Sequence, residues 1–139
     1  MLKNWFICGL GSAISFASMV IIYKRLFVLG IKPLVLNLFM FAFVFIGFLV
    51  WNLSTKTKPD LTIKMVLFLL LASMFSLLGN YFYVTSVGLA PNPGYAATIK
   101  ASEIIFITVF SFLLFRSSLN IVAFLGVCFV FLGIYLISR

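Results

Sequence analysis

The chain has 139 residues, of which 65% are hydrophobic and only 9% are charged. A soluble globule of this length needs more polar residues to cover its surface, so the composition excludes a soluble domain and indicates an integral membrane protein. Ten Lys and Arg residues stand against two acidic residues. The basic residues lie singly or in pairs at the ends of apolar runs, which is typical of membrane loops and not of a nucleic-acid surface.

Five apolar segments follow one another, and each is near the roughly 20 residues that a membrane-spanning helix needs. They are predicted at residues 5–23, 34–53, 64–89, 93–115 and 119–137. The first stops at Lys24 and Arg25, and the polar linker of residues 54–60 separates the second from the third. Transmembrane strands would instead alternate in polarity over about ten residues. The predicted fold is therefore an all-α bundle of about five transmembrane helices, forming one domain over residues 1–139.

Polar stripes run along the first and third helices. Ser12 and Ser15 lie on one face of the first helix, while Asn80 and Tyr83 extend a stripe on the third that begins at Ser73. These side chains could line a polar path between the helices. Alternatively, the serines only let helices pack closely and bond to backbone carbonyls.

The fourth segment is the only one with charges near its middle, where Glu103 falls close to the membrane midplane and Lys100 lies one turn away. Ionisable residues at that depth mark a functional site by default, so both are predicted to bind substrate. Lys100 could instead extend its ammonium to the interface. Glu103 could form a structural ion pair with Lys100, stay protonated, or exchange protons during transport.

The fifth helix carries Gly126 and Gly133, seven residues apart. Small residues at this spacing let two helices approach closely. We interpret the pair as a candidate dimer interface, although packing within the chain explains it equally well.

The residue types of the chain do not indicate a metal site, a cofactor site or an enzyme. The chain has no His, and its two cysteines, Cys8 and Cys128, lie in different apolar runs without paired spacing. We expect no metal and no cofactor. Without a carboxylate pair or a cofactor motif, an enzyme is not expected either.

Charge bias sets orientation only weakly. On the side of the N-terminus the sequence places Lys3, Lys56, Lys58, Lys64 and Arg116, and on the other side Lys24, Arg25, Lys32 and Arg139. This near balance permits insertion in both orientations, while the cluster of residues 56–64 favours a single orientation with the N-terminus inside.

Two stretches, YVTSVGLAPNPGYAATIKASEIIFITVFSFLLF and FLGVCFVFLGIYLI, resemble the later helices of a single five-helix EamA-like repeat of the drug/metabolite transporter superfamily. Most members are fused pairs of inverted repeats that hold substrate between their halves. The resemblance implies a small-molecule substrate, contact with membrane lipids, and a multi-pass position in a cell membrane such as a bacterial inner membrane. A lone repeat implies two copies or a partner half.

Within this resemblance, a fourth-helix lysine is similar to one that binds anions in the sugar-phosphate and nucleotide-sugar branches, which makes Lys100 the position to carry over. Many members have a proline in that helix, where this chain has Ser102, Glu103 and Ile104, so no proline is present to kink it. The small multidrug resistance branch uses a first-helix glutamate. This chain has no acid there, and Glu103 would be its substitute.

The function predicted from these features is secondary transport of a small metabolite or drug-like solute by an antiparallel homodimer through alternating access. Proton exchange at Glu103 is one possible driving step. The alternative is a half-transporter or a lipid-binding subunit that works only with a partner membrane protein.

Overall fold

The computed structural model describes residues 4–57, 59–116 and 121–137, and all regular structure in these residues is helical. The helices are α1 Asn4–Val28, α2 Pro33–Thr55, α3 Ile63–Leu89, α4 Pro93–Lys100, α5 Glu103–Phe115 and α6 Ile121–Ile137. Four spans are long and apolar enough to cross a membrane: α1, α2, α3, and Pro93–Leu114 across α4 and α5. A shorter apolar helix covers Phe124–Ile137. The predicted all-α membrane bundle is confirmed, while the predicted start of the last helix at Leu119 lies outside the described residues.

Large apolar side chains are exposed on every side of these helices. Phe68 is 72% exposed, Ile63 73% and Leu114 73%. A helix that is apolar all round suits a lipid environment, and its backbone polar groups are bonded within the helix, as the bilayer interior requires. The chain is therefore a multi-pass membrane protein, whose surface is matched to acyl chains.

The chain divides into two compact units, Met1–Gly88 with α1 to α3 and Leu89–Arg139 with α4 to α6. The buried side chains of the first unit lie where α1 and α3 end and α2 begins; they are Val20, Tyr23, Leu36, Asn37, Val84 and Val87. In the second unit α6 packs against both α4 and α5, and Ala96 on α4 is buried.

Helix α1 continues past the two basic residues that mark the end of the predicted span. Its C-terminus is formed at Gly30, whose φ of +87° only glycine adopts without strain. The Gly30 amide donates to the Phe27 carbonyl at 2.9 Å, and the Ile31 amide donates to the Leu26 carbonyl at 3.2 Å. This pair of bonds is the Schellman motif. The end of the apolar run and the end of the helix are thus different points, because the glycine determines where the helix stops.

Lys24 lies within the extended part of α1 and reaches the C-terminus of α3. Its Nζ donates to the carbonyl oxygens of Val87 at 3.4 Å and Gly88 at 3.2 Å. Helix α3 cannot continue because Pro91 and Pro93 follow, so its last carbonyls lack partners within the helix. Lys24 supplies a positive charge and hydrogen bonds at this negative helix end.

The predicted fourth helix, residues 93–115, is two helices in the structure, with a break at Ala101 and Ser102. Around the break the backbone bonds shorten to three-residue spacing: Ser102 donates to Ile99, Ile104 to Ala101, and Ile105 to Ser102, at 3.0 to 3.1 Å. These are 3₁₀-type bonds, which wind the chain more tightly than an α-helix. The break therefore forms without a proline.

Candidate functional site

The break between α4 and α5 positions the two charges of the fourth span. In 3₁₀ geometry, side chains three residues apart lie directly above one another. Lys100 and Glu103 have this spacing on either side of the tight turn, and Lys100 Nζ donates to Glu103 Oε1 at 2.8 Å. The ion pair that the spacing permits is therefore formed.

This ion pair is accessible. The Lys100 side chain is 48% exposed and that of Glu103 is 50% exposed. The break lies nine residues after Pro93, about 13 Å along the span and so near its middle. An accessible pair of opposite charges at that depth can exchange one of its partners for a charged solute or a proton.

The predicted polar stripe of the first helix is found on α1. Ser15 Oγ donates to the Gly11 carbonyl of the same helix at 2.8 Å, and both Ser12 and Ser15 are exposed. A serine bonded four residues back has its proton occupied. Ser15 thus retains only the acceptor capacity of its oxygen.

The predicted stripe of the third helix is also largely bonded within its own helix. Asn80 Nδ2 donates to the Ser76 carbonyl at 2.8 Å and to Ser76 Oγ at 3.2 Å. Tyr83 is half-buried and lies close to Tyr23 of α1. Tyr83 therefore lies beside α1, within the first unit.

A groove between α2 and α3 was not predicted from the sequence. Its volume is about 620 Å³, and its lining residues are Leu34, Asn37, Leu38, Phe41, Leu69, Ala72, Ser73, Ser76, Leu77 and Tyr81. None of them is charged. Asn37 is only 8% exposed, and no hydrogen-bond partner for its Nδ2 or Oδ1 is found among the described residues. The available signal was a single amide within the apolar run that opens α2.

The two candidate interface glycines have open surroundings. A Cβ atom built on Gly126 or Gly133 would meet no atom of the described residues within 4 Å, apart from its own helix and chain neighbours. Neither glycine is thus required for a close approach to those residues.

The observations define first a class of protein. Several apolar helices of spanning length and a half-exposed ion pair near the middle of one span are typical of membrane transporters, where charges at that depth mark substrate or ion pathways. The sequence matches the EamA-like transporter family over residues 3–139, and the chain belongs to that family. Its members transport small molecules across membranes. No curated protein and no solved structure matches the chain.

Proposed function

We propose that the chain is a secondary transporter of a small metabolite or drug-like solute, which acts as an antiparallel homodimer by alternating access in a cell membrane such as a bacterial inner membrane. Residues 1–139 would form one EamA-like repeat, and two copies in opposite orientations would supply both halves of the transport path. Family membership supports the transporter class. The observation that carries the assignment of a site is the accessible Lys100–Glu103 ion pair at the break in the fourth span.

The ion pair suggests how a proton and an anionic solute are coupled. While Glu103 is ionised, it occupies Lys100. Protonation of Glu103 removes the negative charge beside Lys100, and an anionic group of the solute can take the place of that charge. Release of the proton restores the pair and displaces the solute. In this mechanism, uptake of an anion rises as the pH on the entry side falls.

The other predicted residues would line the path. Asn80, Tyr83, Ser12 and Ser15 carry neutral polar groups on α3 and α1, which can contact a solute without the large desolvation cost of further charges. Gly126 and Gly133 would form the subunit contact. Their open surroundings support this role, because a second helix could approach the backbone there.

Proton coupling is tested in proteoliposomes that contain a trapped pH-sensitive dye. Sugar phosphates, amino acids and quaternary amines are added in turn outside, and the internal pH is followed. We expect at least one anionic solute to drive proton entry, and Glu103→Gln to abolish that signal. The matched control is Asp60→Asn, because Asp60 is the other acidic residue and lies in the linker between α2 and α3. Equal loss in both variants, or an unchanged signal in Glu103→Gln, would remove Glu103 from the mechanism.

Assembly is tested separately, by placing a cysteine at Thr57 in a chain whose Cys8 and Cys128 are replaced by serine. A membrane-impermeant thiol reagent is applied from one side and then from both, and a lysine crosslinker reports the subunit number. Labelling from both sides together with a dimer supports the antiparallel homodimer. Labelling from one side only contradicts it and favours a half-transporter that needs an inverted partner.

A further inference from the structure

The three helices of the first unit pack against one another at one end. Among its described residues, every buried side chain lies in the last turns of α1 or α3 or in the first turns of α2. By contrast, residues 4–18 of α1, 41–55 of α2 and 67–79 of α3 are all exposed. The helices therefore meet where α1 and α3 end and α2 begins, and we call this region the packed end.

A single charged side chain joins α1 to α3 at the packed end. Lys24 Nζ donates to the carbonyl oxygens of Val87 at 3.4 Å and Gly88 at 3.2 Å. The α3 backbone also comes close to α1 there, since a Cβ atom built on Gly88 would lie 3.3 Å from ring atoms of Phe27. Val84 and Val87 are fully buried as a result. The Lys24 bonds thus favour the packed arrangement.

Other polar atoms at the packed end oppose this arrangement. Tyr23 Oη and the carboxamide nitrogen and oxygen of Asn37 have no hydrogen-bond partner among the described residues. Each of these atoms is less than 1 Å² accessible, so neither water nor a solute reaches it while the helices are packed. A buried donor or acceptor without a partner destabilises the state that buries it. The packed end therefore combines one contact that holds it together with unpaired groups that favour its separation.

Separation of α1 from α3 would bring these groups into contact with water. Asn37 lies four residues after Pro33, about 6 Å from the start of α2, and Tyr23 lies five residues before Val28, about 8 Å from the end of α1. Both positions are near the ends of spanning helices, where the membrane meets water. Opening would break the two Lys24 bonds and let water bond to Tyr23 and Asn37. The gain offsets part of the loss, which is the condition for an element with two accessible states.

We propose that the packed end is a gate, which is closed in this structure and opens to water in the other state of the protein, and that Lys24 is its latch. Lys24 contacts no solute in this mechanism and acts by positioning α3 against α1. The use of the gate in transport rests on the proposed function. Its opening is measured without any solute, so the two ideas can fail separately.

The opening is measured as the labelling rate of a buried cysteine by a water-soluble thiol reagent. The purified full chain is placed in lipid nanodiscs, which expose both membrane faces, with Cys8 and Cys128 replaced by serine. Val87→Cys reports on the gate, and Val84→Cys replaces it if the first variant is not monodisperse in size-exclusion chromatography. Ala96→Cys, at a buried position of the second unit, reports on general unfolding.

The latch is tested by Lys24→Met. We expect it to label Val87→Cys about tenfold faster, as the loss of the bonds from a charged donor implies, and to leave the rate at Ala96→Cys unchanged. Lys24→Arg and the matched control Arg25→Met should label at the rate of the parent chain. An unchanged rate at Val87→Cys overturns the latch. Equal acceleration at both reporters also overturns it, because the variant would then loosen the whole protein.

The unpaired groups give a test with the opposite sign. Asn37→Leu and Tyr23→Phe remove the atoms that gain hydrogen bonds on opening, so each should slow the labelling of Val87→Cys about fivefold. Side chains that merely hold the helices together would give faster labelling when their polar atoms are removed. Asn52→Leu, which changes an exposed amide of the same helix as Asn37, is the control and should have no effect. Unchanged or faster labelling in both variants overturns the gate.

A reversible crosslink connects the gate to transport. In the same serine background, Phe27→Cys and Gly88→Cys are joined by a short bis-methanethiosulfonate reagent, because the two positions are in close contact. The crosslink should abolish solute-driven proton entry in proteoliposomes, and a reductant should restore it, while Phe27→Cys alone should be unaffected by the reagent. Full activity of the crosslinked chain overturns the gate. If no solute drives a signal before crosslinking, the proposed transport fails, and the labelling rates still decide whether the packed end opens.

Discussion

Replacing Lys24 with methionine tests the contact between α1 and the end of α3. The half-buried ammonium donates to two α3 carbonyls, at 3.4 and 3.2 Å. Methionine keeps most of the apolar stem but cannot donate a hydrogen bond. The variant should therefore loosen the last turn of α3 while leaving the packing around the stem largely intact.

The size of the effect follows from the geometry. A hydrogen bond to a charged group contributes about 1.5 to 3 kcal/mol, and a cation at a helix C-terminus adds about 0.3 to 1 kcal/mol. Both bonds are long, which places each at or below the weak end of this range. We expect a net loss of about 2 kcal/mol in the free energy of unfolding. For a chain of this size that corresponds to a decrease of roughly 7 °C in Tm.

The assay is thermal unfolding of the purified chain in detergent, followed by hydrogen exchange of peptides from the end of α3. The control is Arg25→Met, which removes the same charge from the same end of α1 at an exposed side chain. Lys24→Arg should retain most of the stability, since a guanidinium can also donate to carbonyl oxygens. Lys24→Met should accelerate exchange near Val87, and Arg25→Met should not.

Equal behaviour of the two methionine variants would refute the reasoning. The loss would then come from the general removal of a basic residue beside the membrane and not from the cap on α3. An unchanged Tm in Lys24→Met, with unchanged exchange at the end of α3, would show that the carbonyls find other partners at no cost.

Three further results are expected in the same unfolding assay. A Cβ at Gly88 would lie 3.3 Å from ring atoms of Phe27. Gly88→Ala should therefore lower the free energy of unfolding less in a Phe27→Leu background than in the wild type. The difference in a double-mutant cycle should be at least about 0.5 kcal/mol. Asn92 Oδ1 accepts from the Gly94 amide at 2.8 Å at the start of α4. Asn92→Ala should lower the free energy of unfolding by about 1 kcal/mol, whereas Asn92→Asp should change it little. Equal losses in the two variants would contradict this capping role. Lys100→Met should lower stability by less than about 1 kcal/mol because its ion pair is half exposed, and a larger loss would indicate a structural pair.

The helices were predictable because lipid selects for continuous apolar runs of nearly fixed length. Proline and glycine at the end of the third span determine its end at Leu89, where the sequence places it. The end of the first span was harder to predict, since Lys24 and Arg25 look like loop residues. The Lys24 ammonium binds the last carbonyl oxygens of α3, and this contact is visible only in the folded chain.

The break in the fourth span could not be predicted for a different reason. Proline is the recognised cause of such breaks, and no proline is present in residues 94–115. Local tightening to three-residue bonds needs no special residue, so it leaves little trace in the sequence. The spacing of Lys100 and Glu103 did predict that they could meet, but not that a tight turn brings them together.

The two asparagines of this chain that lie deepest in the helices show why polarity in the sequence does not by itself identify a site. Asn80 lies in a polar stripe and was predicted to contact solute, yet its amide nitrogen is bonded to Ser76 of its own helix. Asn37 lies in an apolar run and was not predicted, yet both of its polar atoms remain unpartnered among the described residues. Ser76 Oγ, which lines the same groove as Asn37, accepts from Asn80 Nδ2 and keeps its own proton for a further bond. Polarity in the sequence therefore predicts neither which amide is bonded nor which is buried, because both depend on contacts formed only in the folded chain.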